Sequence, residues 1–190
     1  IALADFNGDG HLDVIVANYA SNKVGILFGY GNGSFTDQIS YSAGAGPISV
    51  GIGDFNNDSR LDIVVVNQQS DSLGLLLGHG DGTFREASFY PTGSRPLSLV
   101  VKDVNHDKRS DIIVGNFWDY DLSVYLGRPD YAFIEVDVVA LDRDLQPRAL
   151  ALADFDHDQQ LDLAVIHTPN STITIFLATS NHSFSDQRTY

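Results

Sequence analysis

Cysteine and methionine are absent from this 190-residue chain, and tryptophan occurs once. Without cysteine there are no disulfides and no thiolate ligands, and no paired histidine spacing replaces them, which disfavours zinc. Basic residues are scarce: 11 Lys and Arg stand against 25 Asp and Glu, for a formal charge of −14. A surface of that sign with no basic stripe excludes nucleic acid as a partner. No apolar stretch approaches the roughly 18 residues that mark a membrane-spanning helix, and no charged-then-apolar leader opens the chain. Nor do apolar residues around the acidic motifs recur at helical spacing. With no methionine, Ile1 is not a translation start, so a fragment or processed product is expected.

What the sequence does contain is a repeat. A nine-residue acidic motif starts at Asp5 (DFNGDGHLD), Asp54 (DFNNDSRLD), Asp103 (DVNHDKRSD) and Asp154 (DFDHDQQLD), at intervals of 49, 49 and 51 residues. Fixed periods of this size belong to propellers, solenoids and arrays. Positions one, three, five and nine always carry an oxygen side chain. They are Asp5, Asn7, Asp9 and Asp13; Asp54, Asn56, Asp58 and Asp62; Asp103, Asn105, Asp107 and Asp111; and Asp154, Asp156, Asp158 and Asp162. A tight loop can turn such a set inward on a hard cation, with the backbone carbonyl of position seven (His11, Arg60, Arg109, Gln160) as a further ligand. Calcium suits the set, whereas magnesium demands near-ideal octahedral geometry and keeps several waters. Turn formation alone would also favour Asp, Asn and Gly. It does not explain why Asp holds positions one, five and nine in four copies while the residues between them vary. Up to four structural calcium ions are therefore expected. Position six is Gly10 in the first copy but Ser59, Lys108 and Gln159 in the others. Those loops must bend without glycine's freedom, so unequal affinities are expected, with the first site tightest. The four loops hold 13 of the 25 acidic residues, and four divalent cations would bring the charge from −14 to −6.

Each motif follows a short apolar segment, such as Val50 to Gly53 or Leu150 to Ala153, and precedes a β-branched run. Those runs (Val14 to Asn18, Ile63 to Asn67, Ile112 to Asn116 and Leu163 to His167) have the composition of strands buried on both faces. A third strand is expected at Gly25 to Phe28, Gly74 to Leu77, Leu122 to Leu126 and Ile173 to Leu177. A fourth runs from the repeated Phe35, Phe84, Phe133 and Phe184. Between the third and fourth, GYGNGSF and GHGDGTF are hairpin signals that decay to GRPDYAF and ATSNHSF in the later repeats. A calcium-bound parallel β-helix has much shorter repeats and fails on period.

Four strands per repeat describe a propeller blade. The order of apolar strand, DxNxDGxxD loop, apolar strand and LxxGxGDGxF turn resembles the FG-GAP or VCBS repeat family, the calcium-loop propellers that include the integrin α-subunit head. The resemblance covers nearly the whole chain. The expected fold is all-β: a single β-propeller region over 1–190, with four four-stranded antiparallel blades at approximately 1–41, 42–90, 91–140 and 141–190. Because the family most often builds seven blades, the resemblance implies an arc of a larger ring, completed by further blades or another chain; a self-sufficient four-bladed ring is the alternative.

In such a blade the metal loops join the first and second strands, so they share one face of the disc. On the opposite face the segment Asn116 to Asp121 stands apart. Phe117, the lone Trp118 and Tyr120 beside Asp119 suit stacking on a sugar or anchoring a protein, although rings of this kind also fill gaps between blades. The histidines include three that sit at varying places within the acidic loops, no serine occupies a nucleophile elbow, and no phosphate-cradling glycine loop leads into a helix. The function expected is an extracellular, non-catalytic module that binds a protein or glycan on the face away from calcium. A lectin-like propeller and an accessory domain of a secreted enzyme are the alternatives. Weak calcium loops fill only where calcium is near millimolar, which favours a secreted or cell-surface location.

Overall fold

A computed structural model describes residues 1–128, 133–143, 145–168, 170–178 and 184–190. Sixteen strands form four antiparallel sheets, and no α-helix occurs among the described residues. The first sheet is β1 (Ala2–Ala4), β2 (Asp13–Asn18), β3 (Lys23–Leu27) and β4 (Ile39–Ser42). The second is β5 (Pro47–Gly53), β6 (Asp62–Asn67), β7 (Ser72–Leu76) and β8 (Ser88–Pro91). The third is β9 (Pro96–Lys102), β10 (Asp111–Asn116), β11 (Asp121–Gly127) and β12 (Phe133–Ala140). The fourth is β13 (Gln146–Ala153), β14 (Asp162–Thr168), β15 (Ile173–Ala178) and β16 (Phe184–Thr189). Each sheet is a meander in chain order, one blade of a β-propeller.

The second strands explain how the blades stack. In a strand, successive side chains point to opposite faces, so a strand between two blades must be apolar on both. Ile63 and Val65 of β6 pack with Ile15, Val24 and Ile26 of the first blade. Their neighbours Val64 and Val66 pack with Ile112, Val114 and Leu99 of the third. Ile113, one residue on, turns to Leu163, Val165 and Phe176 of the fourth. Three clusters thus fill the three gaps between consecutive blades. At the two ends of the stack the outward faces have no neighbouring blade: Leu3 of β1 is 56% exposed on one side and Ile166 of β14 46% on the other.

A second repeated contact sits nearer the rim. The ring of Phe84 meets Phe6 and Tyr41 of the preceding blade edge-on, with centroids 5.8 and 5.5 Å apart. Phe133 meets Phe55 and Tyr90 in the same manner at 5.3 and 5.5 Å. Phe35, in the first blade, has no such partners among the described residues and is 44% exposed.

One feature of the outer strands differs from the sequence reading. In the first two blades the strand does not run continuously from Phe35 or Phe84. An isolated bridge pairs Gly29 with Phe35 and Gly78 with Phe84, and regular pairing resumes only at Ile39 and Ser88. At the break, the Thr36 hydroxyl accepts the Phe28 N–H at 3.1 Å, so a side chain replaces a ladder carbonyl. The glycine hairpins themselves close as expected, with Tyr30 N–H on Ser34 O at 3.0 Å and His79 N–H on Thr83 O at 2.9 Å. The corresponding turns of the later repeats, at 129–132 and 179–183, lie outside the described residues, as do Asp144 and Pro169.

The two-faced strand predicts a positional contrast. Ile113→Ala, within a filled gap, is expected to cost about 2–5 kcal/mol. Ile166→Ala, at the open end, should cost less than about 1 kcal/mol. Urea unfolding of the two variants measures both, and equal losses would contradict the stacking.

Candidate metal loops and the opposite face

All four acidic loops have the same geometry. The position-one carboxylate accepts the N–H groups of positions five and six. Asp5 takes Asp9 and Gly10 at 3.2 and 2.8 Å, and Asp54 takes Asp58 and Ser59 at 3.1 and 2.8 Å. Asp103 takes Asp107 and Lys108 at 3.0 and 2.7 Å, and Asp154 takes Asp158 and Gln159 at 3.1 and 3.0 Å. The side-chain oxygens of position three (Asn7, Asn56, Asn105, Asp156) also accept the position-five N–H. Position seven donates its own N–H to the position-five carboxylate: His11 to Asp9, Arg60 to Asp58, Arg109 to Asp107 and Gln160 to Asp158. The chain therefore wraps around its own carboxylates.

Position nine is built differently, and in each loop it is fully buried. One oxygen accepts the N–H of position two: Phe6 on Asp13, Phe55 on Asp62, Val104 on Asp111 and Phe155 on Asp162, at 2.8, 2.9, 2.9 and 2.8 Å. The other accepts an N–H sixteen residues downstream, from Gly29, Gly78, Gly127 and Ala178, at 2.9, 2.8, 2.9 and 2.9 Å. This aspartate joins the loop to the end of the third strand. In the first two blades the approach is close enough to exclude side chains, since a Cβ on Gly29 or Gly78 would lie 2.2 Å from the carbonyl oxygen of Leu12 or Leu61, whereas the fourth blade accommodates Ala178. The sequence reading saw the glycine as a turn residue and missed this bond.

Burial sets the electrostatics. Desolvation pushes the Asp62 carboxyl up to about 6, against the two backbone N–H bonds that favour its charge, and the nearby carboxylates of Asp58 and Asp54 push it further. Asp111 is raised for the same reasons, burial first, with Asp107 and Asp103 nearby. Exposed Asp5 moves the other way, lowered chiefly by the Gly10 N–H.

Whether the loops fit a cation can be judged from their donors, which are oxygens throughout. In the fourth loop, carboxylate oxygens of Asp154, Asp156 and Asp162 all lie within 4.8 Å of one another. That is close to twice a calcium–oxygen distance of about 2.4 Å, so one ion could touch all three. The other loops present Asn7, Asn56 and Asn105 in place of Asp156, with the same backbone bonds. The third loop differs in one respect: the Arg109 guanidinium pairs with the Asp107 carboxylate and donates to Gly127 O at 2.7 Å. This loop already holds a cationic group.

Positions four and six adopt left-handed backbone in every copy. Position four is Gly8, Asn57, His106 and His157, with φ of 76°, 56°, 58° and 65°. Position six is Gly10, Ser59, Lys108 and Gln159, with φ of 82°, 63°, 68° and 71°. Asn and His are among the side chains that best tolerate this region, which accounts for the otherwise variable fourth position, and for two histidines that look like surface fillers. Lys108 and Gln159 have no such compensation.

The aromatic segment on the opposite face is split. Phe117 lies beneath the Arg95 guanidinium, 5.2 Å from its ring centroid, and Trp118 lies 4.8 Å from the same group while remaining 59% exposed. Asp119 accepts the Ser94 N–H at 2.6 Å and so holds the turn between blades two and three. Tyr120, at φ 56°, turns the chain into β11, and its carbonyl accepts the Leu141 N–H at 2.8 Å. Trp118 also lines a cavity of about 400 Å³ with Tyr19, Gln68, Gln69, Asp71 and Arg95, none of which the sequence reading singled out as a ligand group.

Two outcomes follow from the loop geometry. Lys108→Gly and Gln159→Gly should each stabilise the chelator-treated protein by roughly 0.5–1 kcal/mol in urea unfolding, because relieved strain exceeds the added chain entropy. A loss of stability would contradict the shared left-handed geometry. In chelator, the stability of the wild type relative to Asp62→Asn should fall as pH rises from about 4 to about 6. A carboxyl raised in the fold contributes fully below its unfolded value of 3.8 and loses that contribution through about 6. Measuring the difference between the two proteins removes the opposing effect of buried His167, whose lowered imidazole destabilises the fold as pH falls.

The comparisons agree with this architecture. A model of the FG-GAP-like repeat matches residues 5–65, 54–114 and 103–165. No curated protein matches the sequence. Among solved structures, an Agrocybe aegerita lectin specific for non-reducing terminal N-acetylglucosamine is similar at 17% identity and a TM-score of 0.66, over 98% of this chain and 50% of that one. BBS1N, solved in complex with ARL6DN, is similar at 13% identity and a TM-score of 0.63, over 92% and 51%. The biofilm matrix protein Bap1 of V. cholerae is similar at 16% identity and a TM-score of 0.57, over 98% and 28%. The chain thus spans about half the length, or less, of these structures, and at such identities they share its fold alone. Three overlapping matches cover most of the sequence, and the chain belongs to the FG-GAP-like repeat family.

Proposed function

We propose that this chain is a calcium-braced propeller module, extracellular and non-catalytic, that binds a protein or glycan partner on the face opposite the acidic loops. The observation that carries the reading is the acidic loop built four times on one face with a buried aspartate at its end. A carboxylate placed where burial disfavours its charge is a poor device for stability alone, and a bound dication would reverse that cost. In this reading the oxygens of positions one, three, five and nine and the carbonyl of position seven hold the ion. The third loop, with Arg109 on Asp107, holds it most weakly. Calcium braces the rim and leaves the opposite face free for recognition.

The similar structures support a binding role by what is said of them: one lectin recognises a terminal sugar, another protein was solved in complex with ARL6DN, and a third belongs to a biofilm matrix. A lectin is favoured over an enzyme accessory domain by the exposed Trp118. An extracellular setting supplies the near-millimolar calcium that loops of this type need.

Thermal unfolding in calcium and in chelator tests the reading. At free calcium ten times the dissociation constant each site should add about 1.4 kcal/mol, so the melting temperature rises with calcium and falls back in chelator. An unchanged melting temperature at millimolar calcium would contradict it.

A further inference from the structure

We infer that the cavity over the turn of the second blade is a binding site for a neutral saccharide. This rests on the proposed binding role of the face opposite the acidic loops, and it adds a place and a ligand class. The cavity lies where the turns following β2, β6 and β10 come together. Its lining is Tyr19 from the first blade, Gln68, Gln69 and Asp71 from the second, Trp118 from the third, and Arg95 from the turn between the second and third. At about 400 Å³ it falls in the range of small-molecule sites, roughly 300 to 1,000 Å³.

The chemistry of the lining selects the ligand. Tyr19 and Trp118 are 42% and 59% exposed, so two aromatic rings stand open to solvent on the blades that flank the amides. Such rings offer flat apolar faces to the C–H surface of a pyranose. The Gln69 amide donates to the Tyr19 hydroxyl at 3.0 Å and fixes that ring. The Gln68 side chain makes no hydrogen bond among the described residues, so its donor and acceptor are both available. Asp71 spends one oxygen on the Arg95 N–H at 2.7 Å and keeps the other. Sugar hydroxyls both donate and accept, which matches a lining of amides, a carboxylate and a guanidinium. Asp71 and Arg95 cancel in charge, and the chain carries −14, so an anionic sugar is disfavoured.

The repeat is broken at this place. Arg95 occupies the position held by Gly46 one blade earlier, each preceding a proline, and both have left-handed backbone, at φ 54° and 67°. A glycine would fit without strain; the backbone bond is shared, since Asn22 accepts the Gly46 N–H as Asp71 accepts that of Arg95, and what sets the arginine apart is Phe117 and Trp118 against its guanidinium. Strain accepted at one repeat and avoided at another, beside the chain's lone tryptophan, fits a site and has no counterpart in the stacking of the blades.

Trp118 is the only tryptophan, so its emission reports occupancy directly. Calcium-equilibrated protein is titrated with methyl glycosides of glucose, galactose, mannose and N-acetylglucosamine, then with lactose and 3′-sialyllactose. The expected result is a saturable emission change with at least one neutral sugar, weaker with the sialylated one, and an affinity lowered about tenfold in Gln68→Ala and Gln69→Ala with unchanged melting. A glycan array run on wild type and Trp118→Ala separates the failures. Equal array binding by both proteins would overturn this cavity while leaving a glycan-binding module. No sugar response on either assay would overturn the saccharide, and a protein partner lost on mutating this face would still uphold the module.

Discussion

The buried aspartate that ends each acidic loop is the contact on which the blade depends. Its two oxygens hold the start of the loop and the end of the third strand, so one carboxylate fixes three segments that the sequence separates by up to 23 residues, as from Phe6 to Gly29. The first strand, the loop, the second strand and the outer hairpin are all aligned by it. The same bond recurs as Asp62, Asp111 and Asp162 with little change in length. Such a carboxylate is expensive in an apolar setting, and burial accordingly pushes the Asp62 carboxyl upward. The other carboxylates of the loop add to it by repulsion. A cation at the mouth of the loop would resolve both difficulties, which joins the structural role of the motif to its proposed metal.

Stacking follows from this local arrangement. Once the second strand starts at the buried aspartate, the alternation of β structure assigns its next residues in turn to the preceding and following blades. Ile63 and Val64 therefore enter different clusters. The two aromatic triads at the rim then couple the loops of the first and second blades to the next blade's hairpin, through Phe6 and Phe84 or Phe55 and Phe133. In the first two blades the acidic loops and blade packing are mechanically linked, because the phenylalanine at position two of the loop, Phe6 or Phe55, is itself part of the packing. On the opposite face the turns share backbone bonds, as where Gly46 O and Arg95 O accept the N–H of Gln68 and Phe117, while their side chains differ.

Much of this was legible in the sequence. The period, the four acidic loops and the two-faced strands are local patterns, and local patterns survive in a single sequence. The left-handed fourth position was also present, as the set Gly8, Asn57, His106 and His157, whose common property is tolerance of positive φ and not chemistry. What could not be read were contacts set by stacking. The Gln69 amide reaches the Tyr19 hydroxyl across 50 residues. Arg95 acquires its place only when Phe117 and Trp118 fold beneath it. The interrupted outer strands of the first two blades were likewise hidden; in the first, a threonine hydroxyl takes the place of a backbone carbonyl.

Calorimetric titration of calcium into chelator-stripped protein tests the central claim most directly, with the position-one variants Asp5→Ala, Asp54→Ala, Asp103→Ala and Asp154→Ala beside the wild type. The account predicts saturable binding of more than one ion, with one equivalent lost from each variant whose loop is filled and the smallest change at Asp103→Ala. Absence of binding at millimolar calcium, or binding that no position-one variant reduces, would contradict it.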